Sequence, residues 1–144
     1  MLTGRFGESS GRPYIEAKIY LPGLGISGEI SFLVDTGADT SLLAPSDSLR
    51  LGIDDSLLTG DSECIGVGGI GHNFVEKSVI VFADEEFVYV YEILLDVSQQ
   101  NAMSEDVPSI LGRDILDKWV MTYDPLGKSL TMDVVEADFT YSIT

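Results

Sequence analysis

An aspartate that does acid–base work needs a rigid, partly desolvated position, and Leu33-Val34-Asp35-Thr36-Gly37 has the residues to supply one. The apolar pair can anchor a buried strand. Gly37 lets the backbone pass close to the carboxylate with no Cβ in the way, and the Thr36 hydroxyl can lock the turn by hydrogen bonding. Standing alone, Asp-Thr-Gly says little, because any turn favours these residue types. Its context singles it out: an apolar strand precedes it, and Ala38-Asp39-Thr40-Ser41-Leu42-Leu43 follows.

Two other groups of residues could do chemistry. Gly66-Val67-Gly68-Gly69-Ile70-Gly71 satisfies the G-x-G-x-x-G spacing of dinucleotide sites. That chemistry requires a strand before the glycines and a helix after them, whose N-terminus holds the pyrophosphate. Here His72-Asn73-Phe74-Val75 leads into a valine- and phenylalanine-rich run, so a glycine-rich β-hairpin fits better. Cys64 and His72 could in principle form a nucleophile pair. They lie eight positions apart on that same hairpin with no third group to orient them, so Cys64 reads as a small apolar filler and His72 as a surface residue. One Cys and one His also argue against a Cys/His zinc site, and a lone Cys cannot form a disulfide within the chain. The sequence calls for no metal and no cofactor.

The elements that must position these residues are short β-like runs punctuated by Gly, Pro, Asp and Ser. Residues 15–21 read as a strand, 22–28 as a glycine-rich turn, and 29–34 as a second strand, half-buried along its length and buried at its end. Residues 40–43 continue extended. Ser46 is placed to cap a short helix through Leu49 and Leu51, with Gly52 to end it. Residues 54–63 read mostly as loop. Residues 74–82 and 87–95 form two strands joined by a turn at 83–86, and 96–107 is the most loop-like stretch after them. Ile115, Leu116 and Trp119 are spaced for one face of a helix over 114–119, which Asp114 could cap. A hairpin follows, with strands at 120–123 and 130–134 around a turn at 124–128. Trp119 is expected in the core or at a dimer contact, and residues beyond Glu136 have no clear assignment.

Composition sets the outer bounds. With 144 residues, 44% hydrophobic and 22% charged, the chain has ordinary globular composition and enough length to bury a core, so one domain over residues 1–144 is expected, with its core at about 13–135. Twenty-four acidic residues against eight basic give a net charge of −16, which repels phosphate backbones and anionic lipid. Nucleic acid and membrane surfaces are therefore poor partners. No apolar run approaches the roughly 20 residues of a membrane span, and the first residues lack the apolar core of a secretory signal. A cytoplasmic location is the default expectation.

Three motifs in order resemble one family. Leu33-Val34-Asp35-Thr36-Gly37-Ala38-Asp39 resembles the active-site motif of the retropepsins, the retroviral-type single-domain aspartic proteases. Ile65-Gly66-Val67-Gly68-Gly69-Ile70-Gly71 resembles the glycine-rich tip of their substrate-covering flap. Ser109-Ile110-Leu111-Gly112-Arg113-Asp114 resembles the apolar-apolar-Gly element that packs beneath the catalytic turn and leads into a helix. The resemblance implies an all-β fold, a pepsin- or retropepsin-like closed β-barrel half with one or two short helices. It implies that Asp35 is catalytic, that Thr36 and Gly37 support its turn, and that Ile110, Leu111, Gly112 and Arg113 lie beneath it. Gly37, Ala38 and Asp39, with Gly68, Gly69, Ile70 and Gly71 of the flap, would bind substrate. An ion pair between Asp39 and Arg113 is also implied.

The chemistry of that family needs two carboxylates sharing one proton. The ionised one activates water while the protonated one donates to the carbonyl oxygen. Like charges a few ångströms apart titrate as a unit. This chain has a single Asp-Thr-Gly and no repeated half, so the resemblance implies a homodimer in which Asp35 of a second copy completes the site. The expected activity is an aspartic endopeptidase acting on peptide or protein substrates beside hydrophobic residues. The alternative is a catalytically silent retropepsin-like module for dimerisation or peptide binding. Two departures from the viral pattern stand out. Residues 120–144 add a hairpin and tail, closer to the retropepsin-like domains of cellular proteins, and the stretch before the flap is longer.

Overall fold

Alternation of apolar and polar side chains dictates the first long ribbon. A computed structural model describes the backbone of residues 1–58, 62–66, 69–99 and 107–144, and the side chains of the same residues except 62–66 and 69–72. The chain begins with β1 (Leu2–Thr3), β2 (Arg5–Phe6), β3 (Pro13–Leu21) and β4 (Ile26–Val34). On β3, Ile15, Ala17, Ile19 and Leu21 are buried while Glu16, Lys18 and Tyr20 are exposed. On β4, Ile30, Phe32 and Val34 are buried. A period of two puts each set on one face, so the β3–β4 pair has one apolar face that must be covered.

The covering elements follow: β5 (Leu42–Leu43), α1 (Pro45–Arg50), a 3-10 turn at Asp55–Leu57, β6 (Ser62–Gly66), β7 (Gly69–Ala83) and β8 (Phe87–Ser98). After β9 (Ile110–Leu111) and α2 (Arg113–Leu116) come β10 (Trp119–Asp124), β11 (Ser129–Val134) and β12 (Phe139–Ser142). The ring β3–β4–β9–β5–β8–β7 returns to β3 and closes a six-stranded barrel. Most of its pairs are antiparallel. The parallel ones, β4 with β9 and β5 with β8, join distant parts of the chain. A second sheet has the order β1–β11–β10.

Both sheets share one core, in which each fully buried aliphatic side chain contributes about 1.5–3 kcal/mol. Ring centroids of Phe82 and Trp119 lie 4.9 Å apart, and those of Tyr91 and Trp119 6.2 Å, both edge-to-face. Trp119 Nε1 donates to the Tyr91 hydroxyl at 2.7 Å, and that hydroxyl donates to the Glu136 carbonyl at 2.8 Å. The buried polar atoms of the cluster are thus satisfied, and burial pushes the Tyr91 phenol above its ordinary pKa, so it stays neutral. Trp119 belongs to the core.

Several boundaries differ from the sequence reading. The β3–β4 turn is tighter than 22–28, since Ile26, Ser27 and Gly28 already pair with Leu21, Tyr20 and Ile19. The first helix begins with Pro45, whose fixed φ suits a first helical position; Ala44 stands at its N-cap, and Ser46 lies inside the helix. β8 extends to Ser98, beyond the expected loop start at Asp96, because Asp96 and Val97 pair with β5. The rest of that expected loop, at 100–106, lies outside the described residues. The second helix is shorter than 114–119, and Trp119 already belongs to β10. Order also extends beyond residues 13–135: Leu2 is buried with the core, and β12 pairs with β8. Among the described residues, no helix is long and apolar enough to cross a membrane.

Candidate active site

Asp35 follows the last residue of β4, at the point where the chain leaves the barrel wall. Its backbone N–H donates to the Leu111 carbonyl at 3.0 Å, and Leu33 N–H donates to the Ser109 carbonyl at 2.8 Å, so β9 holds the strand that delivers it. The turn is closed by the Gly37 N–H, which donates to Asp35 Oδ1 at 2.9 Å, and by Ala38 N–H, which donates to the Asp35 carbonyl at 3.2 Å. Among the described residues, Gly37 N–H is the one donor to this half-buried carboxylate. Asp35 therefore presents its second oxygen unengaged. The lock expected from Thr36 comes from the Gly37 amide, since a backbone donor two residues on reaches the carboxylate in an Asx-type turn. Thr36 is exposed, and its hydroxyl has no partner among the described residues.

Ile110-Leu111-Gly112-Arg113 runs alongside the end of β4 and the turn. A Cβ on Gly112 would lie 2.6 Å from the Thr40 carbonyl carbon and oxygen and 2.9 Å from the Ala38 oxygen, so the two backbones touch. Arg113 N–H donates to the Ala38 carbonyl at 2.8 Å, and the Arg113 guanidinium pairs with Asp39. Both partners are well exposed, so this pair adds little stability.

A set of buried polar groups was not singled out from the sequence. Ser41 and Ser109 are fully buried. Ser41 Oγ donates to Asp114 Oδ1 at 2.7 Å, and Ser41 N–H donates to Asp114 Oδ2 at 2.9 Å. Ser109 Oγ donates to Asp47 Oδ2 at 2.6 Å and accepts from Ala44 N–H at 2.9 Å. Asp114 was expected as a helix cap. The cap position is Gly112, and the Asp114 carboxylate reaches back to Ser41. The available signal was a serine inside an otherwise apolar extended run, Leu42-Leu43-Ala44 following it directly.

The glycine-rich segment lies on the β6–β7 hairpin, with Gly66 opposite Gly69, Ile65 opposite Ile70 and Cys64 opposite Gly71. Gly68 lies outside the described residues, as does the side chain of Cys64 and that of His72. A 15-residue strand begins at Gly69, within these glycines, and runs to Ala83, where a dinucleotide site requires a helix. Asp96 pairs with Leu42 on one side and Val75 on the other, so β8 lies between β7 of the hairpin and β5, the strand leaving the Asp35 turn. On another side of Asp35 lies an open cavity of about 340 Å³, shared by Pro13, Val34, Asp35, Thr36, Met121 and Tyr123.

This architecture has solved counterparts. A retropepsin-like aspartic protease from Rickettsia conorii superposes with a TM-score of 0.64 at 18% identity, over 99% of this chain and 92% of that one. The chain has a retropepsin-like fold. The EIAV protease, solved in complex with an inhibitor, matches with a TM-score of 0.50 at 24% identity, over 77% of this chain and 90% of that one. No family model matches the sequence, and no curated protein does. At these identities the likeness is one of fold, and within the retropepsin-like fold the residues described above carry the chemical argument.

Proposed function

We propose that this chain is an aspartic endopeptidase whose site is completed by Asp35 of a second copy. The observation that carries the reading is the Asp35 turn itself. It is a half-buried carboxylate, fixed on one oxygen by Gly37 and open on the other, at the end of a strand held by Leu111 in a retropepsin-like fold. In the paired site one carboxylate is ionised and the other protonated. The ionised one takes a proton from water, the resulting hydroxide adds to the peptide carbonyl carbon, and the protonated one gives its proton to the carbonyl oxygen. As the tetrahedral diol collapses, the carboxyl that took the proton from water gives it to the nitrogen, the other carboxylate takes a hydroxyl proton, and the C–N bond breaks. The peptide binds extended between the turn residues Gly37, Ala38 and Asp39 and the glycine-rich hairpin, paired as an added strand.

The second copy has a surface available for this arrangement. β10 is one of the two end strands of its sheet among the described residues, its residues Val120 and Tyr123 are exposed, and Met121 and Tyr123 line the cavity beside Asp35. The test is cleavage of a peptide library from about pH 3 to 7 by the parent and by Asp35→Asn, with mass in solution measured for both. Cleavage by the parent and none by the dimeric variant is expected. Equal cleavage by the two, or an inert parent verified as a dimer, overturns the enzyme reading, the second outcome in favour of a silent module.

A further inference from the structure

We propose that Ser41 and Asp114 are positioning residues for Asp35, forming an internal clamp that sets the catalytic turn over β9. This rests on the reading of Asp35 as catalytic. Ser41 is fully buried, yet each of its polar groups has a partner. Its Oγ–H and N–H both donate to the Asp114 carboxylate, at 2.7 and 2.9 Å. Its Oγ accepts the Gly112 N–H at 3.0 Å, and its carbonyl accepts the Asp96 N–H at 3.2 Å. Hydrogen bonds to an ionised acceptor are stronger than neutral ones, and a two-oxygen grip fixes direction as well as distance.

The consequence lies in what these bonds connect. Apart from the exposed Arg113–Asp39 pair, residues 35–41 meet residues 111–114 at three places: Asp35 N–H on Leu111 O, Arg113 N–H on Ala38 O, and Ser41 on both Gly112 and Asp114. Two points would leave the segment free to rock about the line between them; the third removes that freedom. The exposed Arg113–Asp39 pair is a weak substitute, because water and salt compete with it. Ser41 is fully buried with its polar groups spent inside the protein, so the clamp acts through the placement of Asp35.

Asp114→Asn keeps the shape but leaves one neutral amide oxygen for two donors, and Ser41→Ala removes the hydroxyl that receives Gly112 N–H. Ser41→Thr keeps the hydroxyl. The three full-length variants are compared with the parent by thermal melting, by kcat and KM on a peptide cleaved by the parent, and by carboxyl-carbon NMR titration of Asp35. The expected result is a fall in kcat of roughly tenfold to a hundredfold in Asp114→Asn and Ser41→Ala, with KM within about twofold. The Asp35 titration midpoint should move in both, and Ser41→Thr should restore kcat and midpoint. If the two variants melt earlier but keep the parent's kcat and Asp35 midpoint, the clamp only stabilises the fold and the proposal is overturned. If Asp35→Asn cleaves as fast as the parent, the catalytic reading of Asp35 fails. The Asp35 and Gly37 amide shifts in Asp114→Asn still decide the clamp in that case: movement supports it, and parent-like shifts overturn it.

Discussion

Gly112 is where a single residue type controls the site. Its missing Cβ is what lets the 109–114 segment lie against the Thr40 and Ala38 carbonyls, and the neighbours that would have to yield are backbone atoms. Gly112→Ala should therefore cost about 1–3 kcal/mol or more through overpacking. It should also reduce peptide cleavage, since Arg113 N–H and Leu111 O brace the turn from either side of it. Urea unfolding of the variant checks this, and a midpoint equal to the parent's contradicts it. Gly112 and Asp35 were legible in the sequence because both belong to contiguous motifs. Ser41 and Asp114 were not, because a serine in an extended run and an aspartate at a helix start each have an ordinary local explanation. Their meeting spans 73 positions and exists only through the β4–β9 and β5–β9 pairings.

At the scale of elements, the hairpins were the most readable features, since alternation and turn residues are local. The β10–β11 hairpin closes through Asp124 and Gly127, as its turn composition suggested. The short helices were less readable. α2 ends at Leu116, so Trp119 leaves the helical face on which spacing had placed it and joins Phe82 and Tyr91. The β7–β8 turn shows how a sequence-visible Asp takes on a longer-range role. Asp84 accepts the Met1 ammonium at 2.7 Å on one oxygen and the N–H groups of Glu86 and Phe87, each at 2.8 Å, on the other. The ammonium hydrogen bond, aided by the two amides, holds the Asp84 pKa down to about 2. Its value in the unfolded chain is about 3.9. A depressed carboxylate stabilises the fold above the unfolded value and loses that contribution as pH falls through the folded one. Stability of the parent should thus decline between about pH 4 and 2, and Asp84→Asn should flatten that decline. The same bond raises the Met1 ammonium above its ordinary value, so its share is lost at the alkaline end. Urea midpoints across pH for both proteins decide it; identical slopes would contradict the assignment.

The whole molecule is a closed barrel whose sequence carries one Asp-Thr-Gly, and among the described residues nothing duplicates that turn. Its charge of −16 also means that two copies repel more strongly at neutral pH than in mild acid, where carboxylates are partly protonated. The closed barrel was expected from the resemblance of three short motifs, while alternation by itself showed only strands with one apolar face. The closing pairings were not legible, because β5 and β9 are two-residue strands with too little sequence to show a period. The central claim is that one active site requires Asp35 from both of two copies. It is tested most directly by unfolding the parent and Asp35→Asn together in equal amounts, refolding them, and measuring cleavage at fixed total protein. With random pairing, a site that needs both carboxylates predicts about a quarter of the parent's activity. A value of about one half, proportional to the parent chains present, would mean that each copy works alone and would contradict the account.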